Sequence, residues 1–203
     1  MFNENIFRKL RTTLTKIYVV LLVILTLISK SKWDIFQIIG SSFFLVGAIL
    51  VGIATIGRIW CSMYISGYKS KTLITMGPYS LCRNPLYFFS MLGGIGVGLA
   101  TETLTIPLLV LIVFALFYPN VIQREQKRLS QLHNDKYTEY CDKTPCFIPS
   151  FSHFYEPDKY IVNPVTFRKN IFDNLGFVWL IGVAELIEGL HGSHILPVFL
   201  TLY

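Results

Sequence analysis

Long uncharged stretches alternate with short charged ones along the chain. Residues 35–57, 84–101 and 103–123 contain no charged side chain over 23, 18 and 21 positions, respectively. A helix of about 20 apolar residues crosses the roughly 30 Å hydrocarbon core of a bilayer. Each stretch therefore predicts a transmembrane helix, and we expect the first of these three to continue to about residue 60.

Two further apolar segments are less regular. Residues 13–29 contain an apolar core of 13 residues, which we interpret as a short first span before a turn at residues 30–34. Residues 172–203 are apolar apart from three acids, Asp173, Glu185 and Glu188. Because a carboxylate in contact with lipid costs free energy, we expect a tilted or re-entrant helix here whose acidic face is covered by protein.

A polar segment follows the fourth predicted span. In residues 124–140, apolar or aromatic side chains recur at helical spacing, namely Leu129, Leu132, Tyr137 and Tyr140. This pattern predicts an amphipathic cytoplasmic helix that ends at Thr144-Pro145. The whole pattern thus predicts an all-α integral membrane protein with about five transmembrane helices and one cytoplasmic helix.

The third predicted span begins at Asn84-Pro85, a good helix start, and is rich in glycine. Gly94 and Gly98, four residues apart, allow another backbone to come close. We favour helix packing as their role, and a backbone approached by a ligand is the alternative. We divide the chain into an N-terminal transmembrane hairpin (1–60), a core of a loop, two spans and the cytoplasmic helix (61–149), and a linker with a C-terminal membrane-associated helical region (150–203).

Composition and charge exclude several classes of protein. Of the 203 residues, 53% are hydrophobic and 15% are charged, which excludes a soluble enzyme and a disordered chain. Four cysteines without a Cys-x-x-Cys pair indicate neither a disulfide framework nor a zinc knuckle. With a cytoplasmic N-terminus, all of the 18 Lys and Arg residues except Lys30 and Lys32 fall inside, so the charges mark membrane orientation and not a nucleic-acid partner.

The chemically dense segments are residues 71–87 and 125–149, at the predicted cytoplasmic ends of the third and fourth spans. Arg83 offers a fork suited to a carboxylate or phosphate, the rings of Tyr79 and Tyr87 suit a cation or an adenine, and Glu125 accepts hydrogen bonds. A zwitterionic ligand with a sulfonium and a nucleoside would use all four groups. The alternative is a structural Arg83–Glu125 ion pair within an interfacial aromatic belt.

An ordered set of motifs resembles the isoprenylcysteine carboxyl methyltransferase family, which is related to the membrane phospholipid methyltransferases. The motifs lie within residues 71–149 and read Gly77-x-Tyr79-x-x-x-Arg83-x-Pro85-x-Tyr87, Glu125-x-x-x-Leu129, Tyr137-x-x-Tyr140 and Pro145-x-Phe147-Ile148-Pro149. The resemblance implies an integral membrane enzyme that transfers a methyl group from S-adenosyl-L-methionine. It also implies that the cytoplasmic helix completes the cofactor pocket.

By motif position, the resemblance assigns residues to this pocket. Arg83 would orient the cofactor or an anionic acceptor, as the catalytic residue. The cofactor-binding residues would be Thr72, Leu73, Tyr79, Asn84, Pro85, Tyr87 and Glu125.

Three positions depart from the family pattern. Asn84 stands in place of a histidine, Gln126 in place of the second acid of a pair, and Val121 in place of a substrate-contacting arginine. Because Asn84 cannot titrate, we favour an oxygen acceptor, a carboxylate or phosphate on a lipid or lipidated molecule. The alternatives are N-methylation of a phospholipid amine, and a non-catalytic membrane protein or transporter that retains the fold.

Two further expectations concern metal and membrane. Glu188-x-x-His191-x-x-His194 has a spacing compatible with metal ligands, but the neighbouring Gly189, Gly192 and Pro197 disfavour a regular helix, so we interpret these residues as interfacial and predict no metal. A bacterial inner membrane and an endoplasmic reticulum membrane are the two alternatives, and because we recognise no retention tail or transit peptide in the sequence we expect the bacterial inner membrane.

Overall fold

The computed structural model describes residues 2–35, 37–68 and 72–203, which are almost entirely helical. The eight helices of these residues are α1 (Phe2–Ile28), α2 (Gln37–Ser66), α3 (Pro78–Leu81), α4 (Pro85–Leu99), α5 (Thr105–His133), α6 (Asp135–Lys143), α7 (Pro164–Asn174) and α8 (Gly176–Gly192). A 3-10 turn, Lys32–Ile35, and two strands of three residues, β1 (Ser29–Ser31) and β2 (Leu200–Leu202), complete the described structure.

Among the described residues, three helical segments are long and apolar enough to cross a membrane: Ile38–Ser66, Thr105–His133 and Pro164–Gly192. Two shorter apolar helices, Thr15–Ile28 and Pro85–Leu99, accompany them. The expected all-α membrane fold is therefore confirmed. The number of spans and the orientation in the membrane stay predictions, and Lys69 and Lys71, two of the charges behind the predicted orientation, lie outside the described residues.

Glycines bring α4 close to its two neighbouring helices. A Cβ at Gly47 of α2 would lie 2.5 Å from the Gly96 carbonyl oxygen, and one at Gly98 would lie 2.7 Å from the Pro107 nitrogen of α5. A Cβ at Gly94 would meet the Val110 side chain at 2.9 Å. The preferred interpretation of the glycines as a helix-packing surface is therefore confirmed, with Gly98 in contact with backbone.

Two helix boundaries differ from those expected. The second predicted span continues to Ser66, so the loop expected from residue 61 begins later. The single amphipathic helix expected at 124–140 is wrong, because α5 continues unbroken to His133 and α6 begins at Asp135. Asn134 separates them with a φ of +44°, a conformation that asparagine tolerates better than most residues.

The C-terminal region differs most from expectation. It forms two helices, α7 and α8, followed by β2, which pairs in parallel with β1 near the start of α2. The expectation that protein covers the acids is wrong for Asp173 and Glu185, which are exposed, while Glu188 is half-buried. Beside β2, the main-chain oxygen of Tyr203 accepts hydrogen bonds from the backbone nitrogens of Leu104 (2.7 Å) and Thr105 (2.8 Å).

These contacts define two ends of the helix bundle. The β1–β2 pair and the start of α5 lie at one end. The end of α2, the start of α4 and helices α3 and α6 lie at the other, which we call the site end because it holds the residues singled out by the motifs.

Candidate functional site

The loop before the motif residues is fixed by a glycine with a positive φ. Gly77 has a φ of +61°, and a Cβ there would lie 2.3 Å from the Tyr64 ring. Its amide nitrogen donates to the Tyr155 carbonyl at 2.8 Å, and Pro78 then begins α3. A residue with a side chain would both strain this backbone and collide with Tyr64, so the position requires glycine.

Tyr87 and Glu125 meet at the site end. The Tyr87 hydroxyl donates a hydrogen bond of 2.8 Å to Oε2 of Glu125, linking the first turn of α4 to α5. The Tyr87 ring packs edge-on against Tyr118, with ring centroids 5.3 Å apart. The structure thus brings together two residues that the motifs place 38 positions apart.

Tyr79 adds a buried polar atom beside this pair. Its hydroxyl is buried and has no hydrogen-bond partner among the described residues. Burial raises the pKa of Tyr79 well above its usual value, and the charges of Glu125 and Tyr87 act on it in the same direction. The backbone oxygen of Tyr79 accepts a 2.6 Å hydrogen bond from the hydroxyl of Tyr140, which attaches α6 to this region.

Arg83 turns towards α6. Its Nη1 donates to the Cys141 sulfur at 2.8 Å, and its backbone nitrogen donates to the Pro145 carbonyl at 2.8 Å. Its Nε is buried and has no partner in the described part of the chain. The alternative of an Arg83–Glu125 ion pair is therefore wrong: among the described residues the two side chains form no ion pair, because Arg83 contacts Cys141 of α6 while Glu125 accepts from Tyr87.

The two amides that depart from the family pattern bind one residue. Asn84 is buried, and its Nδ2 donates to the Cys146 carbonyl at 2.9 Å. Nε2 of Gln126 donates to the Cys146 sulfur at 3.1 Å. Both side chains therefore hold the turn after α6 against the start of α4 and the side of α5.

The other predicted cofactor ligands lie around the same end. Pro85 is fully buried at the start of α4, Thr72 is exposed, and Leu73 lines an open cleft of about 340 Å³. The cleft lies between the loop before α3 and α6, and its polar lining includes Ser80, Tyr140, Lys143 and His153. Cofactor contacts by Thr72, Leu73 and Pro85, and by Asn84, Tyr79, Tyr87 and Glu125, stay predictions, as does the role of Arg83.

The sequence analysis missed one polar cluster. Nε of Arg58, in α2, donates to Oδ1 of Asn174 at 3.0 Å, and its Nη1 donates to the Ser90 hydroxyl. Asn174 is buried and donates from Nδ2 to the Ser62 hydroxyl at 3.0 Å. The available signal was an arginine directly after a long uncharged stretch, which we used only for the orientation.

The histidines near the C-terminus lie away from the site end. Nε2 of His191 lies 3.0 Å from the Leu27 carbonyl oxygen, so this side chain bridges α8 and α1. Within the described ranges, no group of three or more His, Cys, Asp and Glu side chains is placed to hold a metal ion.

A family model described as "Phospholipid methyltransferase" matches residues 35–136, about half of the chain. The chain belongs to the phospholipid methyltransferase family. The matched segment runs from α2 through α5 with the loops between them, and it includes Arg58, Tyr79, Arg83, Tyr87 and Glu125. The finer resemblance to isoprenylcysteine carboxyl methyltransferases stays a prediction.

Two curated relatives are similar over nearly the whole chain. The cobalt-zinc-cadmium resistance protein CzcN of Cupriavidus metallidurans is 35% identical over 199 residues, covering 98% of this chain and 91% of the relative. The nickel-cobalt-cadmium resistance protein NccN of Alcaligenes xylosoxydans xylosoxydans is 38% identical over 185 residues, covering 91% and 86%, respectively. No solved structure matches the chain significantly.

Proposed function

We propose that this protein is a membrane methyltransferase that uses S-adenosyl-L-methionine and acts on a lipid or lipidated acceptor. The observation that carries the proposal is the Tyr87–Glu125 contact beside the buried Tyr79 hydroxyl. All three residues lie in the segment matched by the phospholipid methyltransferase model.

The residues at the site end fit such a cofactor. Buried polar atoms normally have hydrogen-bond partners, yet the Tyr79 hydroxyl and Nε of Arg83 have none among the described residues. Both atoms can therefore serve a bound polar molecule. Glu125 adds a carboxylate for a cationic ligand, and the cleft lined by Leu73 adds open space next to α6.

When bound, S-adenosyl-L-methionine supplies a methyl group carried on a sulfonium cation. Tyr87 orients the Glu125 carboxylate through its hydrogen bond, so the negative charge is already fixed in place. The rings of Tyr87 and Tyr118, packed edge to face, offer aromatic surface to a cation. Holding acceptor and methyl donor in line is worth up to about 7–11 kcal/mol, so positioning by these side chains accounts for most of the expected catalysis.

We favour an oxygen acceptor, a phosphate or carboxylate. Such a group is already an anion at neutral pH and needs no base. Asn84, the motif residue in place of a titratable histidine, donates its amide to the Cys146 carbonyl and cannot accept a proton. An amine acceptor is the alternative, and for it the Glu125 carboxylate would have to take up the proton.

We propose a bacterial inner membrane, with the N-terminus and the site end in the cytoplasm. The asymmetric distribution of Lys and Arg supports the orientation, since Lys30 and Lys32 lie at the β1 end. The relatives come from bacteria, which supports a bacterial membrane.

The names of the relatives favour a second candidate, a role in resistance to divalent metal ions without catalysis. Asn84 and Gln126 both donate hydrogen bonds to Cys146, and this structural use of the two side chains is compatible with a protein that kept the fold and lost the activity. Growth of a deletion strain on cobalt, nickel, zinc and cadmium salts, complemented by wild type or by Glu125→Ala, separates the two. Only a methyltransferase role requires Glu125.

Titration of the purified protein in detergent with S-adenosyl-L-methionine tests the first proposal directly. We expect saturable binding to the wild type and none to Glu125→Ala or Tyr87→Ala variants that still insert into membranes. Undiminished affinity in both variants would overturn the assignment. Thin-layer analysis of lipids after labelling with the methyl-tritiated cofactor then identifies the acceptor, and label confined to an amine headgroup would contradict the oxygen preference.

A further inference from the structure

Arg58 is a charged residue inside a helix that is otherwise suited to the lipid core. The apolar segment of α2 begins at Ile38, and Arg58 follows 20 residues later. At 1.5 Å per residue this is roughly 30 Å along the helix axis, the thickness of a hydrocarbon core. Arg58 therefore lies near the depth of the lipid headgroups at the site end.

Three other helices hold the guanidinium of Arg58 in one position. Asn174 of α7 accepts from Nε at 3.0 Å, Ser90 of α4 accepts from Nη1, and the Phe177 ring of α8 lies 5.4 Å from Cζ. Asn174 is itself fixed by Ser62. Nη2 donates to no acceptor in the described residues, so part of the fork remains available to a ligand.

The charge of Arg58 has no direct counter-ion in the described part of the chain. The titratable groups that act on it electrostatically are Tyr118, Cys61, Asp173 and Tyr79. Asp173 is the one carboxylate among these four, and it is exposed and makes no ion pair with Arg58. Arg58 is half-buried and has no paired carboxylate, so an anion that joins it at the headgroup boundary would lower the free energy of the charge.

Two of these neighbours connect Arg58 to the methyltransferase site. Tyr118 packs on Tyr87, which binds Glu125, and Tyr79 carries the buried hydroxyl without a partner among the described residues. Ser90, which accepts from Arg58, lies three residues after Tyr87 in α4, so an anion bound at Arg58 would lie about one helical turn from the residues proposed to hold the methyl donor.

We propose that Arg58 binds the phosphate or carboxylate of the lipid acceptor, and that Asn174 and Ser90 position the Arg58 guanidinium for this contact. This inference rests on the proposed function and assigns a residue to the acceptor, as Glu125 and Tyr87 are assigned to the cofactor. A planar guanidinium held by two neighbours suits a bidentate contact with such an anion.

Binding of a lipid anion is measured with the purified protein in neutral detergent, without methyl transfer. The probe is dioctanoyl phosphatidate, and dioctanoylglycerol is its uncharged counterpart with the same chains. We expect saturable binding of the phosphatidate at least tenfold tighter than that of dioctanoylglycerol. Equal affinity for the two lipids would overturn the proposal, and this comparison requires no variant.

Substitution of Arg58 tests the residue itself. We expect Arg58→Gln to lower the affinity for the phosphatidate at least tenfold, and Arg58→Lys to lower it less, because the charge stays while the fork is lost. Lys127→Gln removes one positive charge from an exposed position on α5 and should change the affinity less than twofold. An unchanged affinity for the phosphatidate in Arg58→Gln contradicts the assignment of Arg58. If Arg58→Gln does not fold, the affinity of Arg58→Lys and the comparison with the uncharged lipid test the proposal instead.

Inorganic phosphate distinguishes a lipid-borne anion from a free one. We expect it to compete with the phosphatidate at least a hundredfold more weakly than unlabelled phosphatidate does, and competition at equal strength would overturn the lipid part of the proposal. Titration with S-adenosyl-L-methionine on the same samples separates the two proposals. If Arg58→Gln still binds the cofactor but no longer binds phosphatidate, both proposals are supported. If the wild type binds the cofactor but shows no preference for phosphatidate, the anion site alone is overturned.

Discussion

Tyr87 and Glu125 are joined by a hydrogen bond of 2.8 Å that couples the start of α4 to α5. Residues that act through one shared contact are not additive when substituted. We therefore expect Tyr87→Phe and Glu125→Gln each to weaken cofactor binding at least tenfold. The double variant should bind the cofactor with nearly the same affinity as the single variant that binds it less tightly. Calorimetric titration of the four proteins measures this coupling.

The control for this cycle is Gln123→Ala, an exposed position on the same helix. Its affinity for the cofactor should equal that of the wild type. Fully additive losses in the double variant would show that the two side chains bind the cofactor independently, against the role given to their contact.

The hydrogen bond from Asn84 to the Cys146 carbonyl predicts a stability effect. Asn84→Ala leaves that half-buried carbonyl without this donor. A fully buried unsatisfied group costs about 1–3 kcal/mol, and we expect a loss at the lower end of this range. Cys146→Ala is the matched control, because it removes the contact with Gln126 and keeps the carbonyl. We expect a clearly lower thermal midpoint in detergent for Asn84→Ala than for Cys146→Ala, and equal midpoints would contradict the importance of this bond.

Much of the fold is predictable from the apolar pattern, because long uncharged stretches have few alternatives to membrane helices. The break at Asn134 is not predictable from this pattern, because the helical spacing of apolar residues continues through it. The position of α6 is fixed instead by the hydrogen bond between Tyr140 and Tyr79. The β1–β2 pair is not predictable either, because strands of three residues leave no alternation to detect.

The candidate site divides in the same way. The pairing of Tyr87 with Glu125 follows from two motifs at the ends of neighbouring helices. The role of Arg58 does not, because its partner Asn174 is 116 positions away in a segment without a motif. Local patterns identify residues on adjacent helices, whereas contacts between α2 and α7 depend on how the bundle packs.

The contact between α2 and α4 predicts a difference between two glycines of the same helix. Gly47→Ala would place its methyl group 2.5 Å from the Gly96 carbonyl oxygen, so the helices must move apart, at a cost of about 1–3 kcal/mol. Gly52→Ala meets nothing within 4 Å and should leave stability unchanged or slightly raised. Thermal unfolding in detergent measures both, and equal losses in the two variants would argue against close packing at Gly47.

The Cys82 thiol predicts a pH dependence of stability. Burial raises the pKa of Cys82 from 9.0 to about 11 and outweighs the backbone hydrogen bond from Asn84, which lowers it. Below pH 9 the thiol is neutral in both the folded and the unfolded protein, so its contribution is fully present. Between pH 9 and about 11 the unfolded chain ionises first, and the folded protein loses up to about 2 kcal/mol.

Cys82→Ala removes this titration, and thermal midpoints of both proteins are compared at pH 8 and pH 10.5. We expect the wild type to lose more stability over this interval than Cys82→Ala, because the variant has no thiol at this position to ionise on unfolding. Other buried phenols, such as Tyr137, whose pKa burial raises to about 12, contribute equally to both proteins and cancel in the comparison. Parallel pH profiles for the two proteins would mean that the Cys82 thiol is solvated in the folded state, in conflict with its complete burial beside the motif arginine.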